Sequence, residues 1–175
     1  MSSRFSQNNG FDENRGSAIA KQSGHKSVML NEVLGYLNIG PDSQIVDATL
    51  NGGGHAAGML EKFPDLKILG IEWDPDIFQE FQTKEIAKKV IAINGSYVNL
   101  KQIAADNNFQ PSGIVFDLGV SSLHYEKSGR GFSFMRDELL DMRFNPKEES
   151  LTAADIINTY SREDIEDILT RYGEE

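Results

Sequence analysis

The chain has 175 residues, no cysteine and a formal net charge of −10, which gives room for one ordinary domain and excludes disulfides and thiolate metal sites. The acid is concentrated at the end, where residues 146–175 hold nine acids against three bases, which disfavours a bulk electrostatic grip on nucleic acid and makes any RNA contact a local one. No apolar run is long enough to span a bilayer and the N-terminus shows none of the signal-peptide kind; with the absent cysteines, this fits a cytoplasmic protein.

Residues 1–25 are rich in Ser, Asn, Gln and Gly without apolar periodicity and read as a disordered tail. From Ser27 the pattern changes: Val28, Met29, Val33, Leu34 and Leu37 recur at helical spacing, with Ser27 as N-cap. IGPDS (39–43) ends that helix, QIVDA (44–48) reads as a buried strand, and three glycines lead into a helix near residues 55–63. KILGIEW (67–73) is a second strand. Asp74 then caps a helix that carries Pro75 in its first turn and runs to about Lys88. VIAIN (90–94) is a third strand, a helix follows near 98–106, and GIVFDLG (113–119) is the fourth. Beyond it, residues 120–144 mix aromatics with arginines. The last stretch reads as helical, with starts at Thr152/Asp155 and Ser161/Asp164 that resemble capping boxes.

Strands that alternate with helices, and that are continuous apolar runs, predict an α/β fold with a parallel sheet covered on both faces. Ligands of such sheets bind beyond the carboxyl ends of the strands, where strand order reverses. Asp47, Glu72 and Asp117 are expected to close the first, second and fourth strands, which gathers three carboxylates around NGGGH (51–55). The loop is not a P-loop, because no Lys-Ser/Thr follows the glycines, and Ala57 holds the third position of a dinucleotide fingerprint. Glu72 lies 18 residues beyond Gly54, where a carboxylate would receive a ribose diol. NAD and S-adenosylmethionine both carry that diol, but crowded carboxylates repel a pyrophosphate and attract a sulfonium and an ammonium. The balance favours a methyl donor over a dinucleotide. His55 is open to two readings at this point, a satisfied residue at a helix start or a ligand contact.

SGRGFSFMRDELLDMRF (128–144) interleaves Phe132, Phe134 and Phe144 with Arg130, Arg136 and Arg143. Such a mixture suits unstacked bases and phosphates. It equally suits a small cap whose rings are core and whose arginines pair with Asp137, Glu138 or Asp141.

Taken in order, HKSVMLNEVL (25–34), DATLNGGGH (47–55), GIEWDPD (70–76), FDLGVSS (116–122) and RGFSFMRDELLDMR (130–143) resemble the motifs of the bacterial ribosomal RNA small subunit methyltransferase H (MraW) family. The resemblance implies a Rossmann-like class I methyltransferase sheet, here its first four strands in the order 3-2-1-4. It also implies S-adenosylmethionine as donor and N4 of a cytidine in the decoding region of 16S rRNA as target. Position by position, the family's donor contacts fall on Gly53, Gly54, His55, Glu72, Tyr97, Asp117 and His124; Gly53, Tyr97 and His124 rest on the resemblance alone. The family usually has Asp at Glu72, Phe at Tyr97 and Pro-Gln at Leu123-His124. No catalytic base is assigned, because the turn after the fourth strand reads DLGVSS where many amino-methyltransferases carry an Asp/Asn-Pro-Pro-aromatic motif. The implied organisation is a donor-binding part at 26–122 and the start of a helical substrate-recognition insertion at 123–175, with the family's later part absent. The fourth strand is then an exposed edge, and the chain alone is expected to be marginal.

Overall fold

In the computed structural model, residues 27–173 are described; the tail read at 1–25 lies outside them. Two central strands carry the core. In β1 (Gln44–Asp47) and β2 (Lys67–Glu72) every residue after the first is buried, because helices cover both faces. Ile45 and Ile68 face one apolar cluster with Met59, Leu60 and Phe81, while Val46, Leu69 and Ile71 face a second with Ala104 and Phe109. Burying each such aliphatic side chain is worth roughly 1.5–3 kcal/mol.

The first cluster is closed by α1 (Leu30–Tyr36), α2 (Gly54–Lys62) and α3 (Pro75–Gln82), the second by α4 (Leu100–Asp106). The outer strands are β3 (Val90–Asn94) and β4 (Gly113–Val115), and the order is β3-β2-β1-β4, all parallel. That is the order the resemblance implied. Both outer strands are thinly covered: Ile91 is 44% exposed and Ile114 42%. Their register partners, Leu69 and Val46, point to the α4 face, which a single seven-residue helix cannot cover.

Four sequence readings need correction. Ser27 does not cap α1; the helix starts at Leu30 behind Met29, whose φ of 52° is left-handed, and the Ser27 hydroxyl sits against Gly54 instead. The third helix ends at Gln82 rather than Lys88, because Lys84 turns back to donate to the Gly52 carbonyl at 2.9 Å; a 3-10 turn, Glu85–Lys89, completes the passage. A 3-10 turn, Tyr97–Asn99, likewise precedes α4. The fourth strand stops at Val115, not Gly119, because its partner leaves the sheet: Val115 pairs with Asp47, the last residue of β1. The Asp117 amide then donates to Thr49 Oγ1 at 2.8 Å. Asp117 therefore lies two residues past the strand it was expected to close.

After β4 come α5 (Ser122–Lys127), an irregular connector, α6 (Ala153–Thr159) and α7 (Arg162–Ile168). The expected starts of the last two hold. Thr152 and Asp155 form a capping box, and the Ser161 hydroxyl accepts from the Asp164 amide. Neither helix buries a residue.

Candidate functional site: a split cavity at the ends of the strands

The glycines answer first to the protein's own packing. Gly53 has φ 79°, and a Cβ there would lie 2.5 Å from the ring of fully buried Phe81. Gly54 is closed off by Ser27 in the same way. The close approach the sequence called for is thus met at Gly53 and Gly54 by the protein's own side chains, while Gly52, Gly54 and Ser27 line the larger cavity.

Glu72 holds the loop in place. Its carboxylate accepts from the Asn51 amide at 2.7 Å through one oxygen and from the Asp74 amide at 2.8 Å through the other. Burial pushes its carboxyl above the usual range, against the pull of those two N–H groups. Asp47 is more extreme. It is 1% exposed, its Oδ1 takes only a long bond from the Thr49 amide at 3.3 Å, and its Oδ2 has no partner among the described residues. Burial raises its carboxyl to about 6 despite the nearby His55. His55 Nε2 lies 3.0 Å from the Val28 carbonyl, which can only accept, so Nε2 carries the proton. Its Nδ1 then faces Asp117 Oδ2 at 3.7 Å. A neutral ring would turn a lone pair toward that carboxylate, so the pair suits a positively charged donor lying against both.

Above the loop the strand ends open into two cavities. One, of about 420 Å³, is lined by Gly54, His55, Lys84 and Asp117 among others. The other, of about 250 Å³, is lined by Glu72, Trp73, Tyr97, His124 and Phe144 among others. Thr49, Asn51, Leu118 and Gly119 line both, so the two are halves of one cleft across the β1/β4 reversal point. Of the seven residues expected to hold the donor, six line this cleft. Gly53 is buried behind it.

His124 lines the smaller cavity and is 1% exposed. Its Nδ1 accepts from the Ser121 amide at 2.9 Å, and its Nε2 lies 3.1 Å from Asp74 Oδ2 at an angle short of a good hydrogen bond. Asp74 is fully buried. Its Oδ1 caps α3 through the Asp76 and Ile77 amides, and its Oδ2 also receives the Arg130 guanidinium. Burial alone would raise the Asp74 carboxyl; His124 and Arg130 bring it down to about 2.

A family model for the MraW methylase family matches residues 22–175. The chain belongs to that family. It is 45% identical over 159 residues to the ribosomal RNA small subunit methyltransferase H of Dictyoglomus thermophilum, covering 88% of this chain and 53% of the relative. The enzyme of that name from Treponema denticola is 41% identical over 160 residues, covering 86% and 49%, and that from Mesoplasma florum 38% over 154 residues, covering 86% and 50%. The chain spans about half the length of the curated relatives it matches.

Within this family member, the arginine–aromatic stretch divides. Arg130 and Arg143 are committed internally, Arg130 to Asp74 and Arg143 to Asp141 at 2.6 Å. Phe132 and Phe144 pack on the His124 ring at centroid distances of 5.0 and 4.9 Å. Phe134 and Met135 instead project outward, 97% and 79% exposed. Arg136, next in sequence, donates to the carbonyl of Glu126, a residue on the rim of the larger cavity. Sequence reasoning gave no site role to Trp73 or Lys84, which also line the cleft, and it named Phe144 only as part of the arginine–aromatic stretch. Trp73 stacks on Phe144 at 5.9 Å with an interplanar angle of 10°. An indole directly after the strand-end carboxylate was the available signal for Trp73; nothing in the sequence linked it to Phe144, 71 residues away.

Proposed function

We propose that the chain binds S-adenosylmethionine across the two halves of the cleft and takes part in methylating N4 of a cytidine in the decoding region of 16S rRNA, in the cytoplasm. The observation that carries the reading is the meeting of Gly54, His55, Glu72, Tyr97, Asp117 and His124 around one cleft. Glu72 keeps acceptor capacity for a ribose diol after its two backbone bonds, and Tyr97 and Trp73 offer ring faces to a base. His55 and Asp117, both lining the larger cavity, suit a cationic ligand better than a pyrophosphate. When bound, the donor supplies an electrophilic methyl group. The chain's own task is to align it with N4, whose lone pair is delocalised, and to exclude water. The Asp117–Ser122 turn is where we place N4. Exposed Phe134 suits an unstacked base. On this reading residues 26–122 hold the donor and 123–175 begin substrate recognition. The relatives bear the name of a ribosomal RNA methyltransferase, which supports the substrate class.

Calorimetric titration with S-adenosylmethionine, with NAD as control, tests the reading. We expect saturable binding of the donor and none of NAD. Glu72→Ala should weaken it roughly tenfold or more, the worth of a hydrogen bond to a charged group, and Glu72→Asp should restore most of the affinity. A folded chain that binds neither ligand rules the proposal out. Donor binding without methyl transfer to a 16S rRNA fragment would leave a binding module in place of an enzyme.

A further inference from the structure

We infer that Arg130 is a positioning residue for the adenosyl site: it pins the connector to the β2–α3 turn and thereby sets the far wall of the smaller cavity. This rests on the reading of that cavity as the adenosyl site. One side chain reaches three anchors. Its Nη2 pairs with Asp74 Oδ2, and its Nη1 donates to the carbonyls of Arg143 and Phe144 at 2.8 and 2.7 Å. Asp74 in turn donates its amide to Glu72, which holds the Asn51 amide of the glycine loop. A continuous chain of bonds therefore runs from the loop, through the expected ribose acceptor, to the backbone of Phe144. The Phe144 ring is delivered against Trp73 and His124, and all three line the cavity.

A purely structural stitch has cheaper solutions. Arg130 is 7% exposed and its Nε has no partner among the described residues, a costly arrangement that apolar packing of similar volume would avoid. What the guanidinium adds is geometry. Its planar fork holds a carboxylate and two carbonyls at once, which an ammonium cannot do. Wall and ligand are then coupled reciprocally: whatever occupies the cavity stabilises the docked connector, and the docked connector tightens the ligand by the same factor.

Trp73 is the only tryptophan, so its fluorescence reports both the stack on Phe144 and occupancy of the cavity. The probe is S-adenosylhomocysteine, titrated into wild type, Arg130→Lys and Leu60→Ala. Leu60 is buried in the core cluster from the C-terminal half of α2 and lines neither cavity, so it reports loss of stability alone. Arg130→Lys keeps the charge beside Asp74 but gives up the carbonyl bonds. We expect about tenfold weaker binding and an altered Trp73 emission before ligand is added, with Leu60→Ala unchanged in affinity although less stable in urea. In wild type the ligand should slow amide exchange across residues 130–144, and in Arg130→Lys it should do so less. Wild-type affinity in Arg130→Lys, or an equal loss in Leu60→Ala, overturns the inference while leaving the adenosyl reading intact. A folded wild type that does not bind the probe removes both.

Discussion

The sheet and the C-terminal arm are built from elements of similar length, yet they are held by different forces. Between Gln44 and Val115 the strands bury Ile45, Val46, Ile68, Leu69 and Ile71 almost completely. In α6 and α7 no residue is buried, and the helices rest on caps and on exposed i,i+4 pairs, Arg162–Glu166 at 3.2 Å and Arg171–Asp167 at 2.8 Å. The connector between them uses a third device, one buried charge gripping backbone and carboxylate. Apolar burial fixes the sheet, whereas the cleft wall depends on a few polar groups and the arm on caps, exposed ion pairs and two backbone bonds to the connector.

Removing Asp74 attacks that contrast hardest, since it serves sheet and connector together. Asp74→Ala uncaps α3 and leaves the Arg130 charge buried without its partner, at an expected cost of about 3–5 kcal/mol. That is a large part of the roughly 5–15 kcal/mol available to a domain. Asp74→Asn keeps an acceptor for the cap and should cost less. Urea unfolding followed by circular dichroism measures both; a loss under about 1 kcal/mol for Asp74→Ala would mean that the connector is held by something else.

How much of this could be read from the sequence follows the same division. Apolar runs announced β1, β2 and β3. The Asp74-Pro75 pair announced the start of α3, and Thr152/Asp155 and Ser161/Asp164 announced α6 and α7, because all of these signals act within a few residues. The carboxylates were found because strand ends are where α/β ligands bind, though Asp117 reaches the cleft from a loop. The Asp74–Arg130 pair is 56 residues apart, and the Trp73–Phe144 stack is as remote; neither leaves a local trace. The second reading of the arginine–aromatic stretch fits Phe132, Phe144 and the arginines at 130 and 143, but Arg130 found a partner outside the stretch. The edge character of β4 among the described residues agrees with expectation, while its short length depended on where β1 turns away, which no pattern within 113–119 reveals.

Acid titration sharpens the comparison inside the sheet, because its buried carboxylates pull in opposite directions. The folded-state value of Asp47 is raised to about 6 from 3.8, so the native chain binds a proton that the unfolded chain has already released. Stability from this group is greatest below about pH 4 and falls as pH rises to about 6, by up to roughly 3 kcal/mol. Glu72, raised by burial, acts with the same sign. Asp74, lowered to about 2, contributes stability above pH 4 that is lost as pH falls toward 2. Chemical denaturation should therefore show declining stability from pH 4 to 7, and Asp47→Asn should flatten part of that decline. An unchanged slope in Asp47→Asn would mean that its buried oxygen has found a proton donor in solution.

The smallest expected effect bears on the arm. The Thr152 hydroxyl accepts from the Asp155 amide at 3.1 Å, and the Asp155 carboxylate accepts from the Thr152 amide at 2.9 Å. α6 has seven residues, well short of the length at which a helix is stable alone, so this box and the bonds from Ala153 and Ala154 to the Asp141 and Leu140 carbonyls hold its start. Thr152→Ala should cost about 1 kcal/mol locally. Because the helix buries no residue, that cost should not reach the sheet. Amide exchange in 153–159 should speed up severalfold while the urea midpoint stays fixed. If the midpoint falls by the full amount, the arm unfolds together with the sheet, and the separation of the two regions drawn from burial is wrong.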